Sequence, residues 1–147
     1  MKTLATVALL FAGALLVSCE VSPEPINYGT EACHFCRMTI VDQQHAAQYV
    51  TKKGKQFKFD AVECMLNQLS ETGMADLEIL LVCDYTQPGQ MTDATRASYL
   101  ISPQIKSPMG ANLSAFSKLS DAEETLGVHG GELFDWSEML TKYQVTE

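Results

Sequence analysis

The chain has 147 residues, 46% of them hydrophobic, with 10 Lys+Arg against 18 Asp+Glu and a formal net charge of −8. That length and composition fit one domain of ordinary size or two very small ones, and they argue against wholesale disorder. The acidic balance argues against a nucleic-acid binder, which needs a basic face to neutralise phosphates, and against a membrane anchor made only of clustered Lys and Arg.

Lys2 precedes an almost entirely apolar run from Leu4 to Val17. Fourteen residues are too few to span a bilayer as a helix, so the run reads as a signal peptide. It ends Leu16-Val17-Ser18-Cys19, which resembles a bacterial lipobox. On that resemblance residues 1–18 are a lipoprotein signal peptide and Cys19 is the lipid-bearing first mature residue; ordinary cleavage leaving a free Cys19 thiol is the alternative. Loss of Lys2 leaves nine basic side chains against eighteen acidic ones. The mature part then works in the cell envelope, facing the periplasm, where thiols can oxidise. Residues 19–30 contain two prolines and a glycine and read as a flexible tether.

The first unit is expected over residues 31–86. His45 to Thr51 and Gln56 to Phe59 alternate as strands do, with the basic turn Lys52-Lys53-Gly54-Lys55 between them. Asp60 reads as an N-cap with Glu63 as its capping-box partner, opening a helix on which Val62, Met65, Leu66 and Leu69 recur at helical spacing until Gly73. Leu77 to Tyr85 is a strand around the apolar run Ile79-Leu80-Leu81-Val82. The order is β-β-α-β.

Gln87-Pro88-Gly89-Gln90 is the natural joint, and residues 92–147 repeat the order. Ala97 to Ile101 and Asn112 to Phe116 are strand candidates flanking a Pro- and Gly-containing loop. Ser120 with Glu123 reads as a second capping box, on a helix that runs to about Leu126 and is closed by Gly127, Gly130 and Gly131. Glu132 to Phe134 is extended, and Trp136 to Tyr143 is a final helix. Units this small are marginal alone. The expected fold class is therefore α+β, with two small ββαβ units packed together.

The chemistry concentrates in Glu31-Ala32-Cys33-His34-Phe35-Cys36-Arg37-Met38, with two thiols, a thioether and an imidazole. Soft thiolate and thioether donors favour Cu(I). Cys36 and Met38 lie on one side of an extended backbone, and Cys33 reaches them if the loop turns. A redox dithiol, half of a zinc site and a structural disulfide are the alternatives. Covalent haem attachment is excluded because Arg37, not His, follows the second cysteine. Cys64 and Cys83 read as buried structural thiols. Met109, held in Ser107-Pro108-Met109-Gly110, is expected to face outward. His129 reads first as a helix C-terminal residue.

Together with Phe59-Asp60, Glu63-Cys64-Met65, Pro108-Met109-Gly110-Ala111, Phe116, His129-Gly130-Gly131 and Leu133-Phe134, this segment resembles the NosL family of nitrous-oxide reductase accessory proteins, which are copper-binding lipoproteins. The resemblance implies two ββαβ units, binding of Cu(I), and its delivery to the apo-reductase in denitrification. The family's Cys-x-Met pair falls on Cys36 and Met38, with Arg37 where members often have Gly. Cys33 and His34 match positions present in some relatives, and Met109 matches the methionine of the second unit. The expected metal ligands are Cys36, Met38, Cys33, Met109 and His34, with no catalytic residue. The expected role is a copper chaperone or assembly factor, not an enzyme. Its expected partners are the membrane, through the lipid, and apo nitrous-oxide reductase or its copper-assembly machinery. An envelope thiol–disulfide oxidoreductase using Cys33 and Cys36, and a copper storage or sensing lipoprotein, remain the rival readings.

Overall fold

The computed structural model describes residues 20–146. The signal peptide and Cys19 lie outside the described residues. In chain order the elements are β1 (Ala47–Thr51), β2 (Gln56–Phe59), α1 (Val62–Thr72), β3 (Leu77–Cys83), β4 (Met91–Asp93), β5 (Ser98–Ile101), β6 (Leu113–Phe116), α2 (Leu119–His129), β7 (Glu132–Phe134) and α3 (Trp136–Tyr143).

Two antiparallel sheets result, ordered β2-β1-β3-β4 and β6-β5-β7. In each the first strand of the unit sits between the second and the third, and the helix follows the second. The two halves are thus the same ββαβ arrangement used twice. The first sheet gains β4 from beyond the Gln87–Gln90 turn, and the second unit adds α3.

Register fixes what each face meets. Ala47 opposes Phe59 and Tyr49 opposes Phe57, so these four share the face that packs on α1. Against them α1 presents Val62, Met65, Leu66 and Leu69, all fully buried. Full burial of side chains of this size is worth about 1.5–3 kcal/mol each. The same core cluster takes in Tyr99, Leu113, Ala115 and Met139 from the second half, so the two units share one interior. A smaller cluster of Leu100, Ile105, Phe116 and Ala122 lies under α2.

Polar links reinforce the join between units. Asp84 accepts from the backbone N–H and hydroxyl of Ser117, and the Tyr85 N–H donates to the Ala115 carbonyl at 2.8 Å. His45, 2% exposed, is held between Asp42 at 3.0 Å and Ser114 Oγ at 3.1 Å.

Glu20 to Thr30 contains no helix or strand. From Ser22 on it lies along the sheet face opposite α1. Gln56 Nε2 donates to the Ser22 carbonyl at 3.0 Å, Gln48 Nε2 to that of Glu24 at 3.0 Å, and Lys58 Nζ to that of Pro25 at 2.7 Å.

The segment expected to be a flexible tether is therefore bound to the sheet from Ser22 on, and two helix starts and one helix end also depart from expectation. Asp60 does not cap α1: Ala61 stands at the N-cap without a side-chain bond, while Asp60 turns toward Cys36 and Glu63 is drawn into contact with Ser107. Ser120 does not cap α2, which begins at Leu119 after an extended Lys118 and passes through Gly127 to end at His129. The capping box stands instead on α3, where Glu138 N donates to Asp135 Oδ1 at 2.9 Å and Asp135 N to Glu138 Oε2 at 2.8 Å.

Candidate metal centre

Three segments meet at one end of the first sheet. The first is the arch Glu31–Ile40, closed by an Ala32–Thr39 bridge and by Cys33 N–H donating to the Met38 carbonyl at 2.8 Å. Arg37 turns the arch with φ 68°, the left-handed region that favours glycine. The second is the end of β2. His34 N–H donates to the Lys58 carbonyl at 2.8 Å, and Lys58 Nζ bonds Glu31 at 2.7 Å, so the arch is pinned beside Phe59 and Asp60. The third is the first turn of α1, where Cys64 follows Asp60 by four residues.

The result is a cluster of Cys33, Cys36, Asp60 and Cys64 whose donor atoms all lie within 4.8 Å of one another. Metal–thiolate bonds of about 2.3 Å place donors across an ion up to about 4.6 Å apart, so small adjustments would close this shell. Cys33 and Cys64 are fully buried, Asp60 is 2% exposed, and Cys36 is partly open to solvent. All four cysteines of the described residues are free thiols. Cys36 Sγ donates to Asp60 Oδ1 at 3.4 Å, whereas the other oxygen, Oδ2, is buried without a partner. A buried acceptor left unpaired is costly and marks room for a further donor or ion.

The thiols are electrostatically unequal. A hydrogen bond with Cys64 draws Cys33 down to about 6, against the opposing effect of burial. Burial pushes Cys36 up to about 11. Cys64 is pushed well up by the same bond to Cys33 and by burial. Of the three, Cys33 is the one whose surroundings favour the thiolate. A redox dithiol needs its low-pKa thiol exposed; here the low one is sealed and the open one is high. Nor does the pair begin a helix, since Thr39 bridges back to Ala32 directly after it.

Of the other expected ligands, the two methionines are exposed and the histidine packs on an aromatic ring. Met38 is 51% exposed at the end of the arch. Met109, 44% exposed, faces outward as expected on a turn that Glu63 ties to α1 through Ser107 Oγ and the Ala111 N–H. The His34 ring is edge-on to Phe57 with centroids 4.6 Å apart and is not among the four converging donors. Burial holds His34 below its ordinary value, with Arg37 and Lys55 adding to the effect.

Asp60 and Cys64 were missed by the ligand expectation. Their signal was the spacing Asp60-x-x-x-Cys64, which places both at the start of one helix. Cys83 stands apart, with Tyr28 Oη at 3.3 Å and Met91 Sδ at 3.8 Å.

The sequence model of the NosL family matches residues 26–144. The chain is 30% identical over 130 residues to the copper-binding lipoprotein NosL of Stutzerimonas stutzeri, covering 82% of this chain and 68% of that one. Its fold is similar to the crystal structure of the copper chaperone NosL from Shewanella denitrificans. That match has a TM-score of 0.71 at 22% identity and covers 81% of this chain and 96% of the other.

Proposed function

Because the chain belongs to the NosL family, we propose that it carries Cu(I) as cargo in the cell envelope and passes it to apo nitrous-oxide reductase or to the machinery that builds its copper centres. The observation that carries this reading is the convergence of Cys33, Cys36, Asp60 and Cys64. Three thiols in one cluster suit a soft monovalent ion, and the poised Cys33 thiolate balances its single charge.

Cys33 and Cys64 hold the copper from within, and the partly open Cys36 is the face through which it enters and leaves. Met38 and Met109 are exposed thioethers, neutral donors that bind Cu(I) weakly enough to share it with an incoming partner. The role is carriage, not catalysis. The chain is held at the membrane by acyl chains on Cys19; two or more chains anchor stably where one binds only marginally. Among the described residues no helix is long and apolar enough to cross a membrane.

The test is anaerobic titration of the reduced mature protein with Cu(I) against a competing chelator, followed by mixing with apo-reductase. Retention of one equivalent and its transfer are expected. A protein that leaves all copper on the chelator overturns the reading. Zinc is a second reading, favoured by the carboxylate of Asp60, because three thiolates and an oxygen suit a tetrahedral zinc site. Retention of Zn(II) in the presence of one equivalent of Cu(I) would select it.

A further inference from the structure

We propose that the β1–β2 turn, Lys52-Lys53-Gly54-Lys55, is the pole of the domain that rests on the phospholipid surface, with its lysine amines meeting headgroup phosphates. This rests on the reading of Cys19 as the lipid-bearing residue.

The amino-terminal strap leads to this turn. Its bonds run in step along β2: Pro25 to Lys58, Glu24 to Gln56, and Ser22 to Gln56. The Gln56 side chain also reaches the Gly54 carbonyl. Followed backwards, the strap enters a groove of about 340 Å³ lined by Glu20, Val21 and Ser22 on one side and Lys52, Lys53 and Gly54 on the other. Cys19 is one peptide step, about 3.8 Å, beyond Glu20. With the strap bound down from Ser22, too little free chain is left for the domain to swing away from a lipid on Cys19. The turn is therefore carried to the headgroups by proximity.

Charge has a secondary part. Lys52, Lys53 and Lys55 are exposed and are three of the ten basic residues. Lys52 Nζ bonds the Ala75 carbonyl at 2.6 Å, and Lys55 Nζ lies 4.6 Å from the centre of the Phe57 ring. Glu20 and Glu24 line the same groove, and Asp76 meets Lys52 through its carbonyl. The local charge is close to balanced, so the length of the strap and not attraction sets the orientation. The sulfur cluster lies past the far end of β2, about 13 Å along a four-residue strand. It lies one strand length from the turn, with the Lys55 amine reaching over Phe57 toward His34 of the arch, and Cys36 is its partly open member.

The experiment uses the acylated mature chain on phospholipid vesicles, with a membrane-impermeant amine reagent and mass spectrometry of each lysine. The reference is the mature C19S chain mixed with the same vesicles. Lys53 and Lys55 are expected to label roughly fivefold or more slowly in the acylated protein, as expected of lysines held at a membrane surface, while Lys106, Lys118 and Lys142 label equally in both. Ten Gly/Ser residues inserted between Cys19 and Glu20 are expected to remove the protection without loss of the acyl chains. Uniform labelling of the acylated protein, protection of Lys106, Lys118 or Lys142 instead, or protection that survives the insertion overturns the orientation. A mature chain whose mass shows no acyl group overturns the anchor itself, and the two failures are thereby told apart.

Discussion

Ser107 Oγ donates its hydrogen to Glu63 Oε1, joining the Met109 turn of the second unit to the residue that precedes Cys64. The Ala111 N–H donates to the same oxygen at 3.3 Å, and Ser107 Oγ in turn accepts the Asn112 N–H at 2.8 Å. Glu63 Oε2 is buried without a partner, so Ser107 supplies a large part of what this carboxyl group has. Ser107→Ala is expected to cost about 1–3 kcal/mol. It should also speed hydrogen exchange at residues 107–112 more than elsewhere. Urea unfolding with peptide-resolved exchange checks both.

The sulfur cluster predicts which cysteines matter. Cys33→Ser, Cys36→Ser and Cys64→Ser are each expected to weaken Cu(I) binding by about tenfold or more, since even residues behind a metal's ligands typically cost about 10–100-fold. Cys83→Ser, outside the cluster, is expected to leave affinity within about twofold. Chelator competition on the four variants is the measurement. A loss for Cys83→Ser equal to the others would misplace the site.

Asp84 predicts an acid-sensitive joint. Burial alone would raise its pKa, but donors from Ser117 and Thr86 outweigh it and hold the group below its ordinary 3.8. A carboxylate held down in the folded state stabilises fully above the unfolded value, and that contribution fades as pH falls through the folded one. Asp84→Asn is expected to cost about 2–3 kcal/mol at pH 7. The gap from the parent should narrow below about pH 4. Unfolding curves across that range read it directly.

Gly131 is expected to tolerate no side chain. Its φ is 123°, and a Cβ there would press into the Ile101 carbonyl oxygen as β7 comes alongside β5. Gly131→Ala should cost about 2–4 kcal/mol. Gly127, inside α2 with open space around it, should accept Ala and gain about 0.5–1 kcal/mol. A thermal melt of the pair decides this.

Periodicity made the strands and helices legible because it reports burial directly. Phe57 and Phe59 alternate on a half-buried strand, and Met65 and Leu69 recur on a helix packed against it. Caps were less legible because a cap is a contest among polar partners. The Asp60 and Glu63 side chains, spaced for a capping box, turn instead to Cys36 and Ser107. The Cys33–Met38 segment announced itself by density of sulfur. Cys64 looked like any buried core thiol, since nothing local shows that the His34–Lys58 bond brings the arch over α1. The short β4 carries only three residues and was hidden by its lack of pattern.

The central claim is that copper sits on the sulfurs of Cys33, Cys36 and Cys64. X-ray absorption at the copper edge of the anaerobically loaded mature protein tests it most directly. The account predicts monovalent copper with a shell dominated by sulfur at about 2.3 Å, a thiolate-type distance. A shell dominated by nitrogen or oxygen, or the same sulfur shell in the Cys33→Ser/Cys64→Ser double variant, would contradict it.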